Sequence, residues 1–586
     1  MIRLSGPDAV IGVRLLLQSP GPDFVLMSKR SHKAEQGAKK PSDKAPESRE
    51  RTIQPALELA VRHQSAGRLP QAEAICRQIL ETDPNQPSAT HLLGVIARQQ
   101  GKNDIAVYFF TKALAIEPDY AQAHNHLGNA LKDLGRLGDA VASYQKAISS
   151  DPDYAEAHYN LGVVFKHRGG LDDAVASYHK AVIVNPDYAK AHHNLGFLYE
   201  KMNRLERADV HIRKALDIDP DFYTAHISLA VLLRRRGEVN EAIESLERLL
   251  SRNLSGIDSY RIHFELGKCY DLEKDYDQAF KHFAKGNEIQ AQNLPVNVIA
   301  ERGLNNVVRA GHLLTPEFFS SWVDASHCTA IESPVFLVGF PRSGTTLLDQ
   351  ILDGHPRLQI MEEKPALSDV RSAIATMSGG YPSAIASLRD IDILTLRGQY
   401  FRSVERYIHR RPGTILVDKL PLNICHIPLI VRLFPNSPII LALRHPCDVV
   451  LSNFMQYYRL NDAMANFLSI DGAARFYNRV MGFWLQCVEM LPLRFHSIRY
   501  EDLVADFDSE LRNLLQFLDV DWDDAMLDYR THAQHRGEIN TTPSYEQVTE
   551  PIYQRAKFRW TRYEKHVKSV REDLKPFIEA FGYSGS

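Results

Sequence analysis

Positions 34 residues apart in the first half of the chain carry the same kinds of side chain, and this period restricts the fold more than any other feature. Ala121 to Tyr154 shows it with Leu127, Gly128, Leu131, Ala140, Tyr144, Ala147 and Pro152. Ala155 to Tyr188 answers with Leu161, Gly162, Phe165, Ala174, Tyr178, Ala181 and Pro186. Small residues such as Gly128 and Ala140 let two helices approach closely, larger ones pack between them, and the proline ends one unit and starts the next. The same register places units at Ile53, Pro87, Ala189 and Tyr223, and a further one near Tyr260 with Leu266, Gly267, Tyr270, Ala279 and Phe283. One long coiled coil is excluded, because glycine and proline recur in every unit.

The period and pattern resemble those of the tetratricopeptide repeat (TPR), which implies an all-α solenoid of about seven repeats over residues 53–293. Such arrays present a groove for a peptide or another protein, so a protein or peptide partner is expected there. Asn160 and Asn194 occupy equivalent positions and are candidates to hold a peptide backbone; polar filler on a helix face gives the same pattern. His124, His126, His158, His192 and His193 lie in the first helices of their units. They have no carboxylate or cysteine beside them to complete a metal site, so solvated or groove-lining roles are expected.

The second half is organised around Ser333 to Pro356, SPVFLVGFPRSGTTLLDQILDGHP. Val335–Val338 has the length of a buried strand, a glycine-framed loop follows, and a helical apolar pattern starts at Leu347. Strand, tight loop and helix N-terminus form an anion cradle. The spacing is G-x-x-x-x-G, as in a P-loop, but Thr345 stands where a nucleotide triphosphatase carries lysine. Arg342 supplies a fork of donors instead, alongside Ser343, Gly344, Thr345 and Thr346. Further strands are expected at Thr414–Val417, Pro438–Leu443 and Phe495–Arg499, with a helix over Asn423–Phe434. Apolar strands alternating with helices predict an α/β parallel sheet with ligands at the strands' carboxyl ends.

The string Pro341-Arg342-Ser343-Gly344-Thr345-Thr346 resembles the phosphosulfate loop of sulfotransferases. The following Leu352-Asp353-Gly354-His355-Pro356 and Glu362-Glu363 are similar to the tyrosylprotein sulfotransferases in particular. The resemblance covers Ser333 to Trp560 and implies 3′-phosphoadenosine-5′-phosphosulfate (PAPS) as co-substrate, with no metal. It makes Glu363 the catalytic base, with Glu362 its diverging neighbour and His355 a rival. It places Lys419, in Asp418-Lys419-Leu420-Pro421, on the phosphosulfate bridge, with Arg342 beside it. Arg444 and Ser452 correspond to the site for the 3′-phosphate. Ser544 and Arg559 correspond to a late cofactor-binding segment, Arg559 standing where the family usually has lysine. Tyr500-Glu501-Asp502-Leu503 implies a structural role. One departure concerns the acceptor: the family's E-E-T-R reads Glu362-Glu363-Lys364-Pro365 here, and the arginine that helps hold an acidic peptide is missing.

The whole is therefore read as multidomain, a TPR solenoid followed by a P-loop-type parallel-sheet sulfotransferase domain. The expected parts are a disordered basic tail over 1–52, the array over 53–293, a helical connector over 294–331 and the sheet domain over 332–586. Met27 is a second candidate start. A net charge of −3 offers nothing to nucleic acid. Six cysteines without C-x-x-C spacing suit a reducing compartment, and no apolar run spans a bilayer, so a cytoplasmic protein is expected. A homodimer is compatible with all of this. The expected activity is sulfuryl transfer from PAPS to a protein tyrosine, with the array recruiting the acceptor. A carbohydrate or small-molecule acceptor and a non-catalytic TPR adaptor are the alternatives.

Overall fold

The computed structural model describes residues 46–252, 259–292, 295–320, 322, 332–529 and 556–583. The tail up to residue 45 and Ser544 lie outside the described residues. One compact unit ends at Ile96 and a second begins at Ala97. The repeats run as α1 (Pro46–Ser65), α2 (Leu69–Thr82), α3 (Pro87–Gln99), α4 (Asn103–Ile116), α5 (Ala121–Asp133), α6 (Leu137–Ser150), α7 (Ala155–His167), α8 (Leu171–Val184), α9 (Ala189–Lys201), α10 (Leu205–Ile218), α11 (Tyr223–Arg235), α12 (Val239–Leu250), α13 (Ser259–Leu272) and α14 (Tyr276–Ala291). In the first unit Ile53, Ile79 and Ala89 form a small core.

In the second unit the periodic glycines act as the sequence predicts. A Cβ at Gly128 would lie 2.6 Å from the Tyr144 ring, one at Gly162 2.8 Å from Tyr178, and one at Gly267 2.7 Å from Phe283. Each ring fills the space that its glycine leaves, so any larger residue would push the helix pair apart. The histidines have a structural use that the sequence reading missed. Nε2 of His124, His158, His192 and His226 donates to the carbonyls of Pro118, Pro152, Pro186 and Pro220, at 2.8, 3.0, 3.1 and 2.8 Å. Each ring ties its helix to the preceding turn. Two further contacts recur, His192 to His211 at 3.0 Å and His263 to His282 at 2.9 Å, each between Nδ1 atoms. Among the described residues no set of three or more His, Cys, Asp or Glu side chains could hold a metal ion. The asparagines are engaged as well: Asn160 donates to Asn125 and Asn194 to the Tyr159 hydroxyl.

After α15 (Val296–His312) and α16 (Pro316–Ser320) comes the sheet domain. Its elements are β1 (Val335–Gly339), α17 (Thr345–Asp353), β2 (Leu358–Glu362), α18 (Ala366–Ala375), α19 (Asp390–Tyr407), β3 (Ile415–Lys419), α20 (Ile427–Leu433), β4 (Ile439–Leu443), α21 (Pro446–Phe454), α22 (Ile470–Met490), β5 (Phe495–Arg499), α23 (Tyr500–Ala505), α24 (Phe507–Leu518) and α25 (Glu564–Ala580). The strand order is β2-β3-β1-β4-β5 and every pairing is parallel. β1 is central, so the crevice at its carboxyl end opens between β3 and β4, where the direction of strand addition reverses. Phe336 and Val338 enter one core and Val335 and Leu337 the other, so both faces of the sheet are covered. The helix expected over Asn423–Phe434 is 3₁₀ from Pro421 to His426 and α-helical only from Ile427. β2 was not foreseen.

The end of the array and the sheet domain share one core. Phe264, Ala279 and Phe283 cluster with Val307 of α15 and with the α19–α22 face of the sheet. A Cβ on Gly303 would lie 2.0 Å from the Asp462 carbonyl, which shows how closely α15 is seated.

Candidate active site

β1 delivers the anion loop to the centre of the crevice. Gly339 is required there, since a Cβ would lie 2.6 Å from the Ala442 carbonyl and 2.8 Å from Ser343 Oγ. The chain then turns through two left-handed residues, Arg342 (φ 72°) and Gly344 (φ 100°), and enters α17 at Thr345. Ser343, Thr345 and Thr346 are buried. Ser343 Oγ has no hydrogen-bond partner among the described residues. A buried hydroxyl without a partner, at a helix N-terminus, fits an anionic ligand. α21 braces the loop: Asn453 Nδ2 donates to the Pro341 carbonyl at 2.9 Å, and Arg342 Nε donates to Ser452 Oγ at 3.1 Å. Arg342 and Ser452, expected at different phosphates, are thus in contact.

At the carboxyl ends of β2 and β3 lies a charge cluster. Lys419 is fully buried, with Nζ 2.7 Å from Asp349, 3.2 Å from Glu362 and 3.1 Å from Glu363. Burial would lower the pKa of this ammonium, but the three carboxylates outweigh it and hold the pKa above the ordinary value. Burial raises the pKa of Asp349, which projects from α17, and Lys419 opposes that shift. Glu363 takes a left-handed backbone (φ 48°), fixed by a 2.7 Å bond from its N–H to the Lys419 carbonyl. Such a conformation costs about 1–3 kcal/mol in a residue with a side chain. The Glu363 side chain stays 38% exposed.

Beyond β4, Arg444 lies over the Tyr500 ring (5.1 Å), donates Nη2 to the Ala556 carbonyl and approaches Asp448 at 3.7 Å. Its buried Nε has no partner among the described residues. Burial pushes Asp448 up to about 6, against the pull of Arg444. Glu501 accepts the His445 backbone N–H and the Tyr583 hydroxyl, which gives the Tyr500–Leu503 string its structural role.

Arg559, expected at the cofactor, pairs with Asp271 of α13 at 2.8 Å. One expectation needs correction. Glu362 does not diverge from Glu363, because β2 ends there and the left-handed Glu363 turns its side chain back toward the same ammonium. His355 is occupied on both nitrogens: Nδ1 accepts from the Arg357 N–H, and Nε2 donates to the Asp521 carbonyl. Asp349 was missed; the signal was a carboxylate one turn after Thr345, on the helix that follows the loop.

A parallel sheet with a glycine-framed strand–helix loop at its centre and cations at the ends of the flanking strands defines a protein of the P-loop-like α/β class. Within that class the chain carries a domain of the sulfotransferase family, whose model matches residues 334–524, joined to tetratricopeptide repeats. TPR repeat models match residues 94–135, 128–169 and 165–203, and tetratricopeptide repeat models match 189–222 and 227–292. An uncharacterized protein of Aquifex aeolicus is 28% identical over 322 residues, 53% of this chain; the chain spans 41% of that relative's length. Protein-tyrosine sulfotransferase 1 of Danio rerio is 26% identical over 260 residues, covering 42% of this chain and 72% of the relative. Protein-tyrosine sulfotransferase 2 of Gallus gallus is 26% identical over 249 residues, covering 41% and 67%. Among solved structures, pilF of Pseudomonas aeruginosa aligns with 39% of this chain and 99% of its own at 19% identity, with a TM-score of 0.35.

Proposed function

We propose that the protein transfers a sulfuryl group from PAPS to an acceptor hydroxyl, with a protein tyrosine as acceptor and the repeat array recruiting it. The observation that carries this reading is the Glu363 carboxylate at 3.1 Å from the buried Lys419 ammonium, at the crevice that holds the anion loop. The unpartnered Ser343 Oγ and Arg444 Nε fit a ligand with two separate phosphates. Ser343, Gly344, Thr345 and Thr346 would hold the 5′ group, Arg342 and Ser452 would bind between the two, and Arg444 would grip the 3′-phosphate. Bound PAPS supplies the activated sulfuryl group.

The chain's own residues position and stabilise, as in phosphoryl transfer. Glu363 takes the acceptor proton; with a phenol near pKa ~10 this is far easier than with a sugar hydroxyl. Lys419 faces the charge that develops on the leaving oxygen, and Asp349 and Glu362 hold it in place. No metal is part of this reading. Cys76, Cys269, Cys425, Cys447 and Cys487 are free thiols, which supports a reducing, cytoplasmic setting, and among the described residues no helix is long and apolar enough to cross a membrane.

Incubation of the full chain with radiolabelled PAPS and host lysate tests the reading. Label in protein, released as tyrosine sulfate on hydrolysis, is expected. Label in glycan or small molecules would overturn the acceptor, and no transfer would overturn the activity.

A further inference from the structure

Helices α13 and α14 reach the anion site along two separate lines of polar contacts. The first begins at Asn287, which is 1% exposed. Its Nδ2 donates to the carbonyl of Phe454, the last residue of α21, at 2.9 Å, and Gln290 Nε2 donates to the Tyr458 carbonyl at 2.5 Å. Carbonyls at a helix end have no partner within the helix, so Asn287 caps the last residue of α21, and Gln290 holds the chain four residues beyond it. The Tyr458 hydroxyl donates to Asn453 Oδ1 at 2.8 Å, and Asn453 in turn holds the Pro341 carbonyl. The line ends on the anion loop.

The second line begins at Asp271. It pairs with Arg559 at 2.8 Å and accepts the Tyr563 hydroxyl at 2.6 Å. Those residues fix the stretch from Ala556 to Tyr563. In that stretch the Trp560 N–H binds Asp448 at 2.7 Å and the Ala556 carbonyl accepts from Arg444 at 2.5 Å. This line ends on Arg444. Ring contacts also seat α14 on the sheet domain: Phe280 stacks on Phe454 at 4.9 Å and on His566 at 4.0 Å. The polar lines add registration, because each terminates on a group that faces the proposed nucleotide.

We infer that the last helix pair of the array is part of the nucleotide site, with Asn287 and Gln290 positioning the anion loop and Asp271 positioning Arg444. The inference rests on the proposed PAPS site. It divides the nucleotide between two supports: the 5′-phosphate depends on the first line and the 3′-phosphate on the second.

Calorimetry of the full chain with AMP and with 3′,5′-adenosine bisphosphate tests this. Asn287→Ala is expected to weaken both nucleotides by about 5-fold or more, and Asp271→Asn to weaken the bisphosphate by a similar factor while leaving AMP unchanged. Asn129→Ala, which removes the buried Tyr144 bond within the α5–α6 pair, controls for loss of array stability and should change neither. Gln290→Ala and Tyr563→Phe serve as milder variants of the two lines should the first pair fold poorly. Wild-type binding with both lines' variants unchanged, or with both nucleotides weakened equally by every variant including Asn129→Ala, overturns the inference alone. Failure of the wild type to bind the bisphosphate removes the proposed site and this inference with it.

Discussion

Left-handed backbone occurs in both the repeat array and the sheet domain, and it has a different meaning in each. In the array it falls at one place per unit, the turn between the two helices: Gly67, Gly101, Gly135, Gly169 and Gly237 take it, and Asn203 and Lys274 take it at the corresponding turns. Glycine adopts this conformation at no steric cost, so the repeating geometry is served by a repeating residue. In the sheet domain Arg342 and Glu363 adopt it beside the crevice at the strands' carboxyl ends, where a side chain is kept despite the cost. Strain at a turn that recurs is removable; strain at the ends of β1 and β2 aims a charged group.

The sharpest test of that contrast is Glu363→Ala. Turnover should fall by ~10²–10⁴ while affinity for the bisphosphate stays near wild type, read from steady-state kinetics and calorimetry. If both fall together, Glu363 shapes the pocket and is not a base. Lys419→Met comes next, since it leaves three carboxylates around an uncharged side chain. A loss of ~3–5 kcal/mol in urea unfolding is expected, and a neutral result would mean that the cluster tolerates its own charge. Arg444→Ala should weaken the bisphosphate by ~1.5–3 kcal/mol and barely alter AMP. Equal losses for both nucleotides would remove the 3′-phosphate assignment. The smallest effect separates the two kinds of strain directly. Lys274→Gly and Arg342→Gly should each gain ~0.5–1 kcal/mol from the relaxed backbone, but only Arg342→Gly should lose nucleotide affinity. A loss of affinity in Lys274→Gly would break the comparison.

The parts of the molecule that repeat, or that follow one another in sequence, were legible in advance. Gly128 and Tyr144 announce their contact because Gly162 and Tyr178 announce the same one. The β1 loop is a continuous string whose strand, turn and helix each carry a local signal. β2 escaped notice because Gln359 interrupts its apolar run and Glu362 ends it; among the described residues it is an edge strand, paired only to β3. The partners of Lys419 and Arg559 were hidden for another reason. Asp349 reaches Lys419 from a helix on a different strand crossover, and Asp271 reaches Arg559 from the repeat array. No local pattern marks a contact used once between distant segments, and the wiring of the candidate site consists largely of such contacts.

The paired imidazoles of the array bear on acid tolerance. His192 Nε2 gives its proton to the Pro186 carbonyl, so Nδ1 must accept from the Nδ1–H of His211, and the His192 ring must be neutral. Burial, reinforced by the facing imidazole, lowers His211 and His263 to about 4. In the unfolded chain the same rings take up protons near ~6.5. Between those two values the unfolded state binds more protons than the folded one, so array stability is level above about 6.5 and declines as the medium is acidified toward about 4. Mild acid would therefore loosen the α9–α10 and α13–α14 helix pairs, and the second of these is the pair that carries Asp271, Asn287 and Gln290.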